Sequence, residues 1–175
     1  MANSLAAFGF RPLKSLSHGE IHMNYYKVAS SAVRIGKGDL LQILNTGYVS
    51  RYTTASATGP FLGVAARDSG VPVAGGISKF PVYDDPNAIY EAQVGTTVAI
   101  SVAYLNQNVG IKCSTVTSAD TGQSQNSLLS TPLTNSTGVR LLRFVDRPDL
   151  TGTGIYAVME CHILNHVFGS DASGV

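Results

Sequence analysis

The chain is 175 residues long, with a formal net charge of +1, 44% hydrophobic and only 13% charged residues, which fits one domain, or one domain with an ordered extension. The balanced charge supplies no global field to draw the chain onto nucleic acid, and no run approaches the ~18 apolar residues that a membrane-spanning helix requires. A charge content about half the ~25% of ordinary soluble domains lowers the desolvation cost of covering the surface with a partner.

Residues 1–24 read as an extended N-terminal arm. The run Ala6-Ala7-Phe8-Gly9-Phe10-Arg11-Pro12-Leu13 carries two aromatic residues and an arginine, with Gly9 and Pro12 breaking regular structure. Leaving Phe8 and Phe10 in water costs ~1.5–3 kcal/mol each, so the arm is expected to dock, on its own domain or on a neighbour. Met1-Ala2-Asn3-Ser4-Leu5 lacks a basic stretch followed by an apolar one, so no secretion signal is expected.

Residues 25–170 carry a β pattern. Tyr25–Ala29 is short and rich in strand formers. Asp39–Leu44 and Tyr48–Thr54 flank Asn45-Thr46-Gly47, a hairpin turn in which glycine supplies positive φ. Phe61–Ala66, Lys79–Tyr83, Ile89–Val94, Val109–Cys113, Val139–Val145 and Ile155–Phe168 are further expected strands. Over Thr97–Leu105, Val98, Ile100, Val102 and Tyr104 alternate with Thr97, Ala99, Ser101 and Ala103, which predicts another. Residues 114–138 are dominated by Ser, Thr, Gly, Gln and Asn and read as one long polar loop, with Leu128-Leu129 on a helical turn or a docked loop. Residues 171–175 form a tail. Short strands separated by Gly, Asn and Pro turns predict an all-β domain, a single barrel or sandwich.

Several residue groups invite a chemical reading. His18/His22 and His162/His166 have helix-face metal spacing, but no third ligand is adjacent and residues four apart also share a strand face; packing or polar-rim histidines are expected, and no metal or cofactor. Asp84-Asp85-Pro86-Asn87 concentrates acid, yet Asx and Pro residues at a strand boundary are turn chemistry. Gly36-Lys37-Gly38-Asp39 lacks the ending and following helix of a phosphate loop. No serine sits in a nucleophile elbow and no base lies beside a nucleophile, so no enzyme is expected. Cys113 and Cys161 lie in apolar runs and read as buried thiols, with a disulfide as the alternative. Residues 1–51 hold Arg11, Lys14, Lys27, Arg34, Lys37 and Arg51 against Glu20 and Asp39, a basic third suited to an acidic partner. Arg140, Arg143 and Arg147 frame an apolar strand, at surface ion pairs or at subunit contacts.

Three segments in this order resemble one family. They are Met1-Ala2-Asn3 with Phe8-Gly9-Phe10-Arg11-Pro12-Leu13-Lys14; Val82-Tyr83-Asp84-Asp85-Pro86-Asn87 leading into Tyr90-Glu91-Ala92-Gln93-Val94; and Leu141-Leu142-Arg143-Phe144-Val145-Asp146-Arg147-Pro148 followed by Ile163-Leu164-Asn165-His166. Together they resemble the head decoration, or capsid cement, proteins of tailed bacteriophages. The resemblance implies a structural virion protein, made in the host cytoplasm and carried on the outer capsid surface. It implies the major capsid protein as partner and a homotrimer as the bound form. Phe8, Phe10, Arg11, Pro12, Lys14, Arg143 and Arg147 are the expected contacts, with the arm reaching a neighbouring subunit. The alternative is a receptor- or glycan-binding module of a tail or surface structure, using Tyr48, Tyr52, Tyr83, Tyr90 and Tyr104 as stacking platforms.

Overall fold

A computed structural model describes residues 6–30, 33–53, 59–70, 76–96, 98–113, 121–134, 138–145 and 153–169. The strands are β1 Arg11–Ser15, β2 Met23–Val28, β3 Leu40–Ile43, β4 Val49–Arg51, β5 Gly63–Ala65, β6 Ile77–Tyr83, β7 Ala88–Gln93, β8 Asn108–Lys112, β9 Ser127–Leu133, β10 Val139–Phe144 and β11 Val158–Ile163. They make an all-β fold of two parts: a six-stranded sheet in the order β1-β7-β11-β10-β8-β9 and a closed barrel β2-β4-β3-β5-β6. Barrel and sandwich were alternatives in the sequence; the chain combines a barrel with an open sheet.

Period-two alternation explains how the parts join. In β3, Leu40 packs with Tyr90, Met159 and Leu141 of the sheet, whereas Leu41 faces the barrel interior with Phe80 and Val82. In β5, Val64 and Ala65 divide in the same way. The β3–β5 wall therefore serves two cores at once. The hairpin turn at 45–47 forms as expected, with the Leu44 amide donating to the Tyr48 carbonyl (2.8 Å) and Gly47 at φ +78°. At one end of the barrel, Arg51 Nε lies 3.1 Å from Asp39 Oδ2, both side chains almost wholly buried. The same carboxylate oxygen accepts the Gly36 amide at 2.7 Å.

Residues 11–15 dock on the chain's own domain, the first of the two expected alternatives: β1 pairs antiparallel with β7, from Arg11 opposite Glu91 to Ser15 opposite Ala88. Four expectations need correction. The boundary drawn at residue 24 falls inside β2. The strand expected over Thr97–Leu105 is absent from its described residues. Only Ile100 bridges a partner, Gly154, and Val102–Tyr104 form a 3-10 turn after Ser101. With no neighbouring strand to cover them, Val98 and Val102 stay 52% and 68% exposed despite their alternation. Within the expected loop 114–138, residues 127–133 form edge strand β9, and Leu128 and Leu129 belong to it rather than to a helical turn. Pro132 suits an edge strand, where a missing N–H breaks no inner ladder. The final strand is shorter than expected, because Ile155 and Phe168 lie outside it and are exposed.

Candidate functional site

The outer side of the six-stranded sheet gathers charge from three distant parts of the sequence. Cross-strand register places Arg11 of β1 opposite Glu91 of β7, Glu91 opposite Glu160 of β11, and Glu160 opposite Arg143 of β10. The row thus reads plus, minus, minus, plus across four neighbouring strands. Arg11 reaches Glu91 at 3.5 Å, Lys14 reaches Glu160 at 3.5 Å, and Arg143 donates to Glu160 at 2.6 Å. Two like charges directly opposite each other destabilise a sheet unless compensated, and here three cations compensate two anions.

Burial within the row is asymmetric. The Glu91 and Glu160 side chains are 6% and 11% exposed, whereas those of Arg11, Lys14 and Arg143 are 49%, 51% and 62% exposed. The acids form the floor and the basic heads form the surface, their stems covering the strands. Burial alone would push the Glu160 carboxyl up. The hydrogen bond and charge of Arg143, with those of Lys14, outweigh it and hold the carboxyl below the usual range. Phe8 lies against this row, with the Arg11 guanidinium 4.0 Å from its ring centre. Gln93 fixes the approach of the segment by accepting the Ala6 amide at 2.8 Å.

The expected contact residues therefore divide. Phe8, Arg11, Lys14 and Arg143 lie on or beside one face, whereas Pro12 stands opposite the core residue Tyr90, on the other side of β1 from Arg11. Phe10 is not on that face either: it is 1% exposed, packed edge-on against Tyr90 in the chain's own core, so it anchors the segment internally. Arg147 lies outside the described residues. Glu91 and Glu160 were missed in the sequence, because nothing there signals that residues 11, 91, 160 and 143 share a row; only strand order does.

The other constellations also find definite places. In Gly36-Lys37-Gly38-Asp39 the amides are committed internally, Gly36 to Asp39, Lys37 to Gly122, Gly38 to Ala65 and Asp39 to Gly36, so no anion cradle forms. Asp85 Oδ1 accepts the Asn87 amide at 2.8 Å, the expected Asx turn. Asp84 accepts from Asn24 and from the Tyr26 hydroxyl; burial, then the bond and charge of Asp84, push that phenol upward. His162 Nε2 lies 2.8 Å from the Pro86 carbonyl. His166 is 1% exposed, and its Nδ1 accepts the Phe168 amide at 3.1 Å. Among the described residues, no three His, Cys, Asp or Glu side chains are grouped to hold a metal ion. Of the five tyrosines considered for stacking, only Tyr48 is exposed; Tyr90 is fully buried and Tyr52 packs on Phe61.

No protein-family model matches the chain, and no curated protein does either. The functional reading rests on the residues and their placement.

Proposed function

We propose that the chain is a structural, non-enzymatic virion protein of a tailed phage that binds the outer surface of the capsid and cements major capsid protein subunits, acting as a homotrimer. The observation that carries this reading is the row Arg11-Glu91-Glu160-Arg143. Two of the segments on which the resemblance rests, 8–14 and 141–148, supply its outer cations, and they meet on one face with Lys14 and Phe8. Their buried acids hold the cations in place before any partner arrives, which lowers the ordering cost of association. Charge-assisted contacts to acidic groups follow from such a surface. Many weak copies of one contact over a shell give avidity beyond any single interface.

The test is co-sedimentation of the full chain with expanded capsids that lack it. Lys14→Gln with Arg143→Gln, whose side-chain amides can still donate to Glu160, is expected to lower occupancy about tenfold through loss of the two surface charges. The circular dichroism of the variant should stay that of the parent. Unchanged occupancy would remove the basic face from the mechanism, and failure of the parent chain to bind would remove the capsid.

A further inference from the structure

A cavity of about 380 Å³ opens where the start of the sheet meets the barrel, lined by Phe8, Arg11, Lys37, Gly38, Tyr83 and Gln123 among others. Its construction is specific to this fold. The Phe10 amide donates to the Gly38 carbonyl at 3.0 Å, pinning residues 8–12 across the 36–39 turn. That crossing needs glycine on both sides. A Cβ at Gly9 (φ +74°) would lie 2.5 Å from Ser124 Cβ, and one at Gly38 (φ +90°) would lie 3.0 Å from the Phe8 carbonyl. The far rim is held by the Lys37–Gln123 bridge, with the Ser124 amide donating to the Lys37 carbonyl at 2.9 Å.

The charge of the cavity is one-sided. Among the described residues, its lining contains Arg11 and Lys37 and no carboxylate. The Arg11 guanidinium is stationed by Glu91 and the Phe8 ring, whereas Lys37 is exposed and takes part in none of the ion pairs among the described residues. Two cations over aromatic walls suit a carboxylate on a short side chain, with Phe8 and Tyr83 receiving the apolar stem. Nucleic acid is the less fitting occupant. A phosphate backbone is held by many cations, on the order of 6–10 contacts, and the chain has a net charge of +1. Strand addition along β1 is also disfavoured. Although β1 is a sheet edge, Pro12 lies in it and the register shifts between Pro12 and Lys14, features that guard an edge against pairing.

We infer that this cavity is a socket for an acidic side chain, Asp or Glu, carried by the protein partner of the basic face. The inference rests on the capsid reading for the identity of the partner, not for the chemistry of the socket. Arg11 belongs to both the row and the cavity, so the socket continues the proposed interface.

The test titrates the 15N-labelled full chain with a blocked triglutamate peptide and, separately, with a single-stranded oligonucleotide of equal charge. The peptide should shift the amides of Arg11, Gly38 and Gln123, and Lys37→Glu should weaken that binding about tenfold. Lys37→Gln should weaken it by less. Lys37 is exposed and its backbone bonds survive either change, so folding is not at issue. Absence of shifts at those amides, indifference to Lys37→Glu, or tighter binding of the oligonucleotide at the same amides would overturn the inference. Occupancy of expanded capsids by Lys37→Glu is measured alongside. Peptide binding at the socket with normal capsid occupancy would keep the socket and reject the capsid as its partner.

Discussion

His166 makes the stability of this protein depend on pH well above the carboxylate range. The imidazole is 1% exposed, held by the Phe168 amide on Nδ1 and flanked by strand-like pairing of Phe61 with residues 165–167. Burial pushes its pKa down; the charges of Asp84 and Asp85 push it up, that of His162 pushes it down, and the net position is about 4. An unfolded histidine titrates near 6.5. Between those values the unfolded chain binds more protons than the folded one, so stability is full above about 6.5 and falls as the pH drops toward 4. The whole window is worth about 3 kcal/mol, of which about 2 kcal/mol is lost by pH 5. Urea unfolding at pH 7.0, 6.0 and 5.0 measures this loss above the pH at which unfolded carboxyl groups take up protons, about 4. His166→Asn retains an acceptor for the Phe168 amide without a titrating group. It should begin less stable at pH 7, because the ring leaves a gap, yet show a much shallower decline. Parallel declines in the two proteins would refute the assignment.

Other expectations follow from burial and pairing. Phe10→Ala should cost about 3–5 kcal/mol in urea unfolding, because the ring packs on Tyr90 in the core, whereas Phe8→Ala should cost under about 1 kcal/mol and act on capsid occupancy instead; equal stability losses would contradict the division between them. Asp39→Asn leaves Arg51 buried beside a neutral partner and should cost about 3–5 kcal/mol, read by thermal or urea unfolding; a loss below 1 kcal/mol would mean the pair is not dry. Burial pushes the Cys113 thiol up to about 12 and the Cys161 thiol higher still, so iodoacetamide at pH 8 should label neither until the chain unfolds; rapid labelling of the native protein would contradict the packing.

The strands legible in the sequence were those marked by a turn or by alternation. Asp39–Leu44 is marked by its Asn-Thr-Gly turn, and Val139–Val145 by an alternation that follows its burial. Two opposite errors have one cause. Val98 and Val102 alternate like a strand but find no partner, and Ser127–Leu133 looks like a loop but is paired by β8. Whether a segment becomes a strand depends on what lies beside it, which local pattern does not record. The same limit governs the site. Arg11, Lys14 and Arg143 stood out as cations near apolar runs, but Glu91 looked like one polar residue in an alternating strand. Strand order alone reveals it as the second member of a charged row. An aromatic beside Gly and Arg, such as Phe10, has the local pattern of an exposed anchor for a neighbour. The left-handed turn at Gly9 instead carries it into the core. Deletion of residues 2–14 would accordingly remove β1 and the Phe10–Tyr90 contact, so point substitutions at Lys14 and Arg143 are the cleaner probe.

The central claim is that the basic face of the sheet grips a capsid. Electron cryomicroscopy of particles carrying this protein tests it most directly. The account predicts density for the fold on the outer shell, with Arg11, Lys14 and Arg143 turned toward the major capsid protein. Density confined to the neck or tail, or an outer-shell position with that face toward solvent, would contradict it.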